Sequence, residues 1–178
     1  MNRDYLSVVY DEKRTPKTDY PHQLASYLAR RFGLTAGERL LEIGCGRGDF
    51  LRAFQKVGLK CSGVDRETRS IELLQGFEIK QCDISKEPLP FADESFDVVY
   101  HKSLIEHLYD PGNLMTETHR VLRKGGQVII LTPDWVSQMR NFYEDITHCR
   151  PYDATALQDT LSMFGFTDTV VERFNQLP

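Results

Sequence analysis

The sequence has little cysteine, and its cysteines lack the spacing that usually holds a metal. The four cysteines, at positions 45, 61, 82 and 149, form no Cys-x-x-Cys pair, so we expect neither a disulfide framework nor a bound metal. Long apolar runs are also missing: none approaches the about 18 residues of a membrane-spanning helix, and Met1 to Lys17 lack the apolar core of a signal peptide. The sequence therefore predicts a cytoplasmic protein that does not bind membranes.

An excess of positive charge is missing as well. Lysine and arginine number 22 against 26 aspartate and glutamate residues, for a net charge of −4, which argues against a nucleic-acid partner. A chain of 178 residues that is 40% hydrophobic suits one domain with a substantial core. We find no repeat, no low-complexity segment and no linker. The sequence predicts a tail or lid over residues 1–20 and a single domain over residues 21–178.

Strands and helices alternate along the predicted domain. The predicted strands are Arg39 to Ile43, Lys60 to Val64, Phe77 to Cys82, Phe96 to His101 and Gln127 to Thr132. The predicted helices are Pro21 to Phe32, Asp49 to Val57, Thr68 to Gln75, Pro111 to Leu122 and Ala154 to Phe164. Such alternation predicts an α/β fold of the Rossmann-like, doubly wound type, with a mostly parallel sheet and helices on both faces. A last apolar run, Thr167 to Phe174, predicts a sixth strand.

The most informative segment is LLEIGCGRG, residues 40–48, in which a strand runs into Gly44, Gly46 and Gly48. Glycine suits a turn whose backbone must lie against a ligand. The Gly-x-Gly-x-Gly spacing, and Glu42 two residues before it, differ from the dinucleotide fingerprint. A carboxylate repels a pyrophosphate but suits a ligand that carries an ammonium and a sulfonium, as S-adenosylmethionine does. A simple tight turn is the alternative for the loop taken alone.

Asp65 strengthens the case for an adenosyl cofactor. It directly follows the second predicted strand, where a carboxylate can accept hydrogen bonds from both ribose hydroxyls. The loop and Asp65 together predict a pocket for S-adenosylmethionine.

Several further segments, in order, resemble one family. They are LLEIGCGRGDF (40–50), GVD (63–65), QCDI (81–84), LPFADESFDVVYHKSLIEHL (89–108) and RVLRKGGQVIILTPDW (120–135). From Leu24 to Phe174 the chain resembles class I S-adenosylmethionine-dependent methyltransferases, in particular the small-molecule branch called the type-11 methyltransferase domain. That family usually closes its sheet with a C-terminal antiparallel strand, which is missing or truncated here. An uncovered edge at the sixth strand would suit a partner chain or a second copy.

The resemblance implies a set of cofactor contacts. Gly44, Gly46 and Gly48 would approach the methionine and ribose parts, and Glu42 would order the loop and the amino group. Asp65 would hold the ribose, Arg66 would lie along the adenine face, and Asp83 and the Ile84 backbone would bind the adenine edge. The methionine end would be lined by His101, Lys102 and Ser103. Alternatives stay open: Asp83 as a turn cap before Ser85, and His101 and Lys102 as the end of a strand.

Methyl transfer mainly requires alignment of donor and acceptor, and a hydroxyl acceptor benefits from a nearby base. The candidate catalytic residues are His107, after the fourth predicted strand, and His148 and Asp145, in the long loop 133–150. The run FYEDITHCRPYD (142–153) resembles an acceptor-side segment of methyltransferases from sugar and cell-surface glycan pathways. The alternative is that Asp145, His148 and Arg150 form a local hydrogen-bonded cluster that only fixes the loop, with Asp153 as the cap of the next helix.

Two functions follow as hypotheses. The first is S-adenosylmethionine-dependent methylation of a small molecule, at oxygen in a sugar, a glycan-pathway compound or a similar metabolite, with S-adenosylhomocysteine as product. An amino-type nucleic-acid methyltransferase would need an Asp/Asn-Pro-Pro-Tyr/Phe segment after the fourth strand, and residues 101–104 read HKSL. The second is a methyltransferase-fold partner or regulatory subunit without activity of its own, which the missing last strand favours.

Overall fold

A computed structural model describes residues 15–174, which contain five parallel strands, six α-helices and two short 3-10 helices. The strands are β1 (Arg39–Ile43), β2 (Lys60–Asp65), β3 (Glu78–Gln81), β4 (Phe96–Lys102) and β5 (Leu122–Leu131). The α-helices are α1 (Tyr20–Phe32), α2 (Asp49–Lys56), α3 (Thr68–Leu73), α4 (Gly112–Val121), α5 (Trp135–Gln138) and α6 (Ala154–Met163). The 3-10 helices are Ile105–His107 and Phe142–Glu144.

The strands lie in the order β3-β2-β1-β4-β5, and every neighbouring pair is parallel. The chain moves outward from β1 to β3 and then returns to the other side of β1 with β4. Ligands of open α/β sheets bind at such a reversal, beyond the carboxyl ends of the strands. The doubly wound parallel fold predicted from the sequence is confirmed, and its switch point lies between β1 and β4.

Apolar side chains cover both faces of the sheet. On one face Leu24 of α1 and Phe54 of α2 pack with Tyr100 of β4, whose ring centroid lies 4.9 Å from that of Phe54. On the other face Met115 of α4 and Leu161 of α6 belong to the second large cluster. Burial on both sides is the reason that the strands read as continuous apolar runs.

The predicted helix and strand positions are largely confirmed. For α1, Pro21 occupies the first turn, where its missing N–H is not needed, and Gly33 ends the helix with a φ of 65°. The other predicted helices end within two residues of the observed bounds. Strand β5 begins at Leu122 and not at Gln127, because Leu122 pairs with Phe96 before a register shift in β4.

The predicted sixth strand, Thr167 to Phe174, is wrong: the backbone there pairs with no strand of residues 15–174. Asp168 has a φ of 53°, which interrupts an extended conformation. The apolar residues of this run are used differently. Val171 packs on the cluster under α4 and α6, and Phe174 stacks on Tyr27 of α1 with 5.4 Å between ring centroids.

Most of the predicted N-terminal tail or lid, residues 1–14, lies outside the described residues. At the start of the described chain, the Thr15 carbonyl accepts a hydrogen bond of 2.9 Å from the Arg47 guanidinium. Between residues 15 and 174, no helix combines the length and the apolar character that crossing a bilayer requires. The division into a tail and one domain stays a prediction.

Candidate functional site

The glycine loop joins β1 to α2 and is fixed to the end of β2. Gly44, Gly46 and Gly48 have φ values of 76°, 51° and 75°, in the left-handed region that glycine adopts without strain. The Gly44 amide donates to the Val64 carbonyl at 2.8 Å. The Gly46 amide donates to the Asp65 carboxylate at 2.7 Å. The three glycines therefore hold the loop in a shape that bulkier residues would strain.

Asp65 is held at the tip of β2 by two backbone amides. Its Oδ2 accepts from Gly46, and its Oδ1 accepts from the Glu67 amide at 2.9 Å. The side chain is partly exposed, and each carboxylate oxygen has a second lone pair. The carboxylate is thus oriented before any ligand arrives, and its contact to a ribose stays a prediction.

Glu42 is a buried carboxylate beneath the glycine loop. The residue is 4% exposed, and its Oε2 has no hydrogen-bond partner within residues 15–174. Burial raises the pKa of Glu42 well above its ordinary value, and the nearby carboxylates of Asp49 and Asp65 raise it further. A cationic ligand group would stabilise the ionised form. The ammonium and sulfonium of S-adenosylmethionine fit this requirement.

Asp83, predicted to bind the adenine, makes local contacts. Its Oδ1 accepts from the Ser85 hydroxyl at 2.6 Å and from the Ser85 amide at 3.2 Å, and its Oδ2 pairs with Lys86 Nζ at 3.1 Å. The hydrogen bond from the Ser85 hydroxyl lowers the pKa of Asp83. Burial opposes this effect, and the Lys86 ammonium adds to it. The turn-capping role is therefore present, and the adenine contact stays a prediction.

The other two residues predicted near the adenine differ in exposure. The Arg66 side chain is 61% exposed and pairs with Glu67 at 3.3 Å. Ile84 is buried, and its carbonyl accepts from the Asn113 side chain at 2.8 Å. Arg66 is accessible to a ring beside β2, whereas Ile84 offers its backbone. Both contacts stay predictions.

The end of β4 carries the three residues predicted at the methionine end. His101 has no exposed surface, its ring nitrogens have no partner in the described chain, and burial lowers its pKa to about 3. Its predicted contact requires the ring to become exposed and stays a prediction. Burial also lowers the pKa of Lys102, whose Nζ lies 3.3 Å from the Ser103 hydroxyl. Ser103 has a φ of 52°, a strained conformation that clusters at functional sites.

The segment after β4 lies against the glycine loop. A Cβ built on Gly44 would lie 3.3 Å from Cδ1 of Leu104. The 3-10 helix that carries Glu106 and His107 begins at the next residue. These two residues therefore lie near the glycine loop, at the switch point of the sheet.

The long loop after β5 brings His148 to the same place. The ring centroids of His107 and His148 lie 4.7 Å apart, and His148 Nε2 lies 4.0 Å from Oε1 of the fully buried Glu106. The Glu106 carbonyl also accepts from the amides of Cys149 and Arg150, at 2.9 and 3.0 Å. The structure thus brings together two of the predicted catalytic residues, His107 and His148, with Glu106, which belongs to the same predicted candidate segment as His107.

A second layer of hydrogen bonds orients the two histidines. His148 Nδ1 lies 2.6 Å from the Phe142 carbonyl oxygen, and His107 Nδ1 lies 2.9 Å from Oγ1 of Thr147. That hydroxyl lies 2.6 Å from the Asp145 carboxylate. Burial opposes ionisation of Asp145, but the hydrogen bonds from Thr147 outweigh it and lower the pKa of the carboxyl. Asp145 is therefore linked to His107 through Thr147, a residue of the predicted candidate loop to which the sequence gave no role of its own.

Glu106 is tied to the end of β5. Its Oε2 accepts from the Thr132 hydroxyl at 2.9 Å. Burial lowers the pKa of His107, and the neighbouring carboxylate of Glu106 offsets part of that effect. The imidazole of His107 is therefore neutral near pH 7.

A cavity of about 390 Å³ opens at the carboxyl ends of β4 and β5. Lys102, Ser103, Thr132, Asp134 and Tyr152 belong to its lining. Its size suits a small molecule. Ser103 directly follows β4, and the Thr132 hydroxyl donates to the Glu106 carboxylate. The cavity therefore lies beside the Glu106–His107–His148 cluster.

Comparison with known proteins agrees with this geometry. A family model described as a methyltransferase domain matches residues 13–171. A probable S-adenosylmethionine-dependent methyltransferase from Mycolicibacterium smegmatis is 31% identical over 137 residues, covering 74% of this chain and 52% of its own length. A ubiquinone biosynthesis O-methyltransferase from Ruegeria pomeroyi is 32% identical over 126 residues, covering 65% and 51%. The chain thus spans about half the length of these curated relatives.

Solved structures share the fold. A SAM-dependent methyltransferase from Archaeoglobus fulgidus superimposes with a TM-score of 0.74 at 27% identity, covering 93% of this chain and 76% of its own. The family match extends over nearly all of the sheet and helices described above. The chain belongs to the class I S-adenosylmethionine-dependent methyltransferases.

Proposed function

We propose that this chain binds S-adenosylmethionine at the glycine loop and transfers its methyl group to an oxygen of a small molecule. The observation that carries the proposal is Glu42: a carboxylate buried under a glycine loop, with one oxygen that lacks a partner within residues 15–174. A positively charged donor provides the missing interaction. In the reaction the acceptor oxygen bonds to the methyl carbon, the carbon–sulfur bond breaks, and S-adenosylhomocysteine leaves.

The cofactor contacts are proposed from the predicted set. Glu42 and the loop backbone hold the methionine and sulfonium, and Asp65 takes the ribose hydroxyls at the tip of β2. Arg66 covers the adenine face, with Asp83 and the Ile84 backbone at the adenine edge, and Ser103 and His101 border the methionine end. The two amides that already orient Asp65 support its role, because a fixed acceptor loses little freedom on binding.

The acceptor is proposed to lie in the cavity at the ends of β4 and β5. Methyl transfer to a hydroxyl releases a proton, and we propose that His148 or His107 accepts it, with Asp145 orienting His107 through Thr147. A relative named as an O-methyltransferase supports oxygen as the acceptor atom. A sugar or glycan-pathway compound is the narrower proposal, because the cavity has polar and charged lining residues.

A partner or regulatory subunit without activity of its own is the second candidate. The observation in its favour is the outer edge of β5, which pairs with no further strand among residues 15–174. A second copy or a partner chain would cover that edge by strand pairing. Binding without any methyl transfer would support this candidate. The cytoplasmic location and the absence of a nucleic-acid partner stay predictions.

Calorimetric titration tests the cofactor site without knowledge of the acceptor. We expect saturable binding of S-adenosylmethionine and S-adenosylhomocysteine, and none of NAD. Loss of charge-assisted hydrogen bonds costs about 2–4 kcal/mol, so Asp65→Ala should weaken binding at least about 30-fold. Asp168→Asn changes an exposed aspartate far from the loop and should bind as the wild type does. A folded wild-type chain that binds neither adenosyl ligand would contradict the proposal.

A screen for methyl transfer tests the acceptor. Purified chain and labelled S-adenosylmethionine would be incubated with sugars, sugar nucleotides and phenols. Labelled product from a hydroxyl acceptor, with turnover reduced in His148→Gln and cofactor affinity unchanged, is expected. Transfer to nitrogen acceptors alone would contradict the assignment of oxygen.

A further inference from the structure

We propose that Glu106, His107 and His148 hold a divalent transition-metal cation. One ligand atom from each residue lies within 4.8 Å of the other two. Glu106 is fully buried, and the two histidines are partly buried. The role of the cation in methyl transfer rests on the proposed function. The binding of the cation does not.

The hydrogen bond of His148 fixes its tautomer. Its Nδ1 lies 2.6 Å from the carbonyl oxygen of Phe142, and a carbonyl oxygen can only accept. Nδ1 therefore carries the hydrogen, and in the neutral ring Nε2 carries a lone pair. That lone pair belongs to the atom 4.0 Å from Oε1 of Glu106.

The hydrogen bonds of Thr147 fix the tautomer of His107. The Thr147 hydroxyl has a single hydrogen, and the Asp145 carboxylate 2.6 Å away can only accept it. Toward His107 Nδ1, at 2.9 Å, the hydroxyl oxygen must then act as the acceptor. The hydrogen of His107 lies on Nδ1, and the lone pair lies on Nε2. A histidine that donates its other N–H to such a partner is the usual arrangement of a metal ligand.

Glu106 supplies the third ligand and the negative charge. Its Oε2 accepts from Thr132, whereas its Oε1 has no hydrogen-bond partner in the described part of the chain. An acceptor oxygen buried without a partner is costly. One ligand atom from each of the three residues thus lies within 4.8 Å of the other two, and a cation among them stabilises all three.

The ligand types select the kind of cation. Two imidazole nitrogens and one carboxylate oxygen form a set used for Zn²⁺ and for other late first-row divalent ions, with positions left open for other ligands. Mg²⁺ prefers oxygen ligands. Ligand atoms around a tetrahedral ion with bonds of about 2.1 Å lie about 3.4 Å apart. Closing the cluster from 4.8 Å therefore requires the ligand atoms to approach one another by up to about 1.4 Å.

The neighbouring cysteine is not a ligand in this arrangement. The Cys149 thiol donates to the Glu106 carbonyl oxygen at 3.5 Å, so its hydrogen is used there. The site is built from nitrogen and oxygen alone.

The cation assigns a new role to the two histidines. With the ion bound they serve as ligands, and the acceptor hydroxyl binds at an open position. A bound divalent cation lowers the pKa of a coordinated hydroxyl. The hydroxyl proton then passes to solvent, and the metal-bound oxygen attacks the methyl carbon while the carbon–sulfur bond breaks.

Metal titration tests the site directly. Metal-stripped full-length chain, without cofactor or acceptor, would be titrated with Co²⁺ and Zn²⁺ and followed by calorimetry and by the visible spectrum of Co²⁺. We expect one equivalent to bind. Glu106→Gln and His148→Gln should weaken metal binding more than about 100-fold, because loss of a residue that only hydrogen-bonds a metal ligand already weakens binding by about 10–100-fold. Thr147 is such a residue, so Thr147→Val should weaken metal binding by about 10–100-fold.

Matched variants separate the cluster from other metal-binding groups. His119→Gln removes a histidine that packs against Phe166, away from the cluster, and should bind as the wild type does. Cys149→Ser should also keep the site. Circular dichroism would confirm that each variant is folded.

Some outcomes would overturn the proposal. They are a folded wild type without saturable binding, equal binding by Glu106→Gln and His148→Gln, or a loss confined to Cys149→Ser. Calorimetry with S-adenosylmethionine keeps the two proposals distinguishable. If that ligand binds and the metals do not, the methyltransferase function stands with a histidine base. If the metals bind and that ligand does not, the metal site stands and the proposed function fails.

Discussion

Gly48 is the loop position at which a single methyl group should do most harm. Its φ is 75°, and a Cβ built there would lie 2.1 Å from Cδ2 of Leu74 and 3.0 Å from Cδ1. Carbon atoms in contact are normally about 3.5–4.0 Å apart. Leu74 is 1% exposed and packs with Cys45 and Leu51. In Gly48→Ala the leucine must therefore move within a filled core.

The cost of Gly48→Ala has two parts. A left-handed conformation costs a residue with a Cβ about 1–2 kcal/mol, and overpacking a core costs about 1–3 kcal/mol. The total loss in free energy of unfolding is about 2–5 kcal/mol. Gly33→Ala provides a matched control, because Gly33 has a φ of 65° and nothing within 4 Å of its built Cβ. That change should cost the backbone part alone.

Urea unfolding of four chains isolates the clash: the wild type, Gly48→Ala, Leu74→Ala and the double variant. In the Leu74→Ala background the added methyl group has room, so Gly48→Ala should cost only about 1–2 kcal/mol there. The coupling energy should be about 1–3 kcal/mol. The reasoning is refuted if Gly48→Ala costs no more than Gly33→Ala, or costs the same in both backgrounds.

Two further predictions concern buried charge. Burial lowers the pKa of His101 to about 3, so below its unfolded pKa of about 6.5 the unfolded chain binds one more proton. Stability is then full above that pH and falls on acidification, by about 2 kcal/mol between pH 7 and pH 5. His101→Leu should show a flatter dependence in urea unfolding, and an unchanged slope would contradict this. Arg120 donates to Glu117 and to the carbonyls of Leu89 and Phe91. Arg120→Met should lose about 2–4 kcal/mol by thermal unfolding, and adding Glu117→Leu should restore part of it; a loss below about 1 kcal/mol would count against it.

The glycine loop and the sheet were predictable from sequence because their signals are local. The loop glycines take positive φ values at the positions their spacing indicated. Glu42 was identified because it lies two residues before Gly44, and Asp65 was identified because it lies at the end of a strand. Each of these inferences used only neighbouring residues, so tertiary packing did not decide them.

The prediction of a sixth strand was wrong because an apolar run can form a strand or can pack against helices without pairing. Val171 and Phe174 belong to the apolar run that predicted a strand, but they pack on helices that the sequence does not place beside them. The positive φ of Asp168 has no distinct signal, because aspartate adopts both conformations. The local pattern was real, and the packing partners decided the outcome.

The cluster of Glu106, His107 and His148 could be predicted only in part. The histidines were candidates by residue type, but their contact depends on how the loop after β5 folds back. The expectation of no bound metal came from cysteine spacing, which says nothing about a carboxylate and two imidazoles. Thr147 lay in the predicted candidate loop, but its role appears only when Asp145 and His107 lie on either side of it.

The segment from Leu104 to Glu106 touches both loops of the site. Leu104 lies against the glycine loop, and the Glu106 carbonyl holds the loop after β5 through Cys149 and Arg150. A cofactor that shifts one loop therefore changes the energy of the other, and the coupling must be equal in both directions. If S-adenosylmethionine tightens acceptor binding tenfold, the acceptor tightens S-adenosylmethionine tenfold. This short stretch of backbone then couples the two binding equilibria without favouring either substrate as the first to bind.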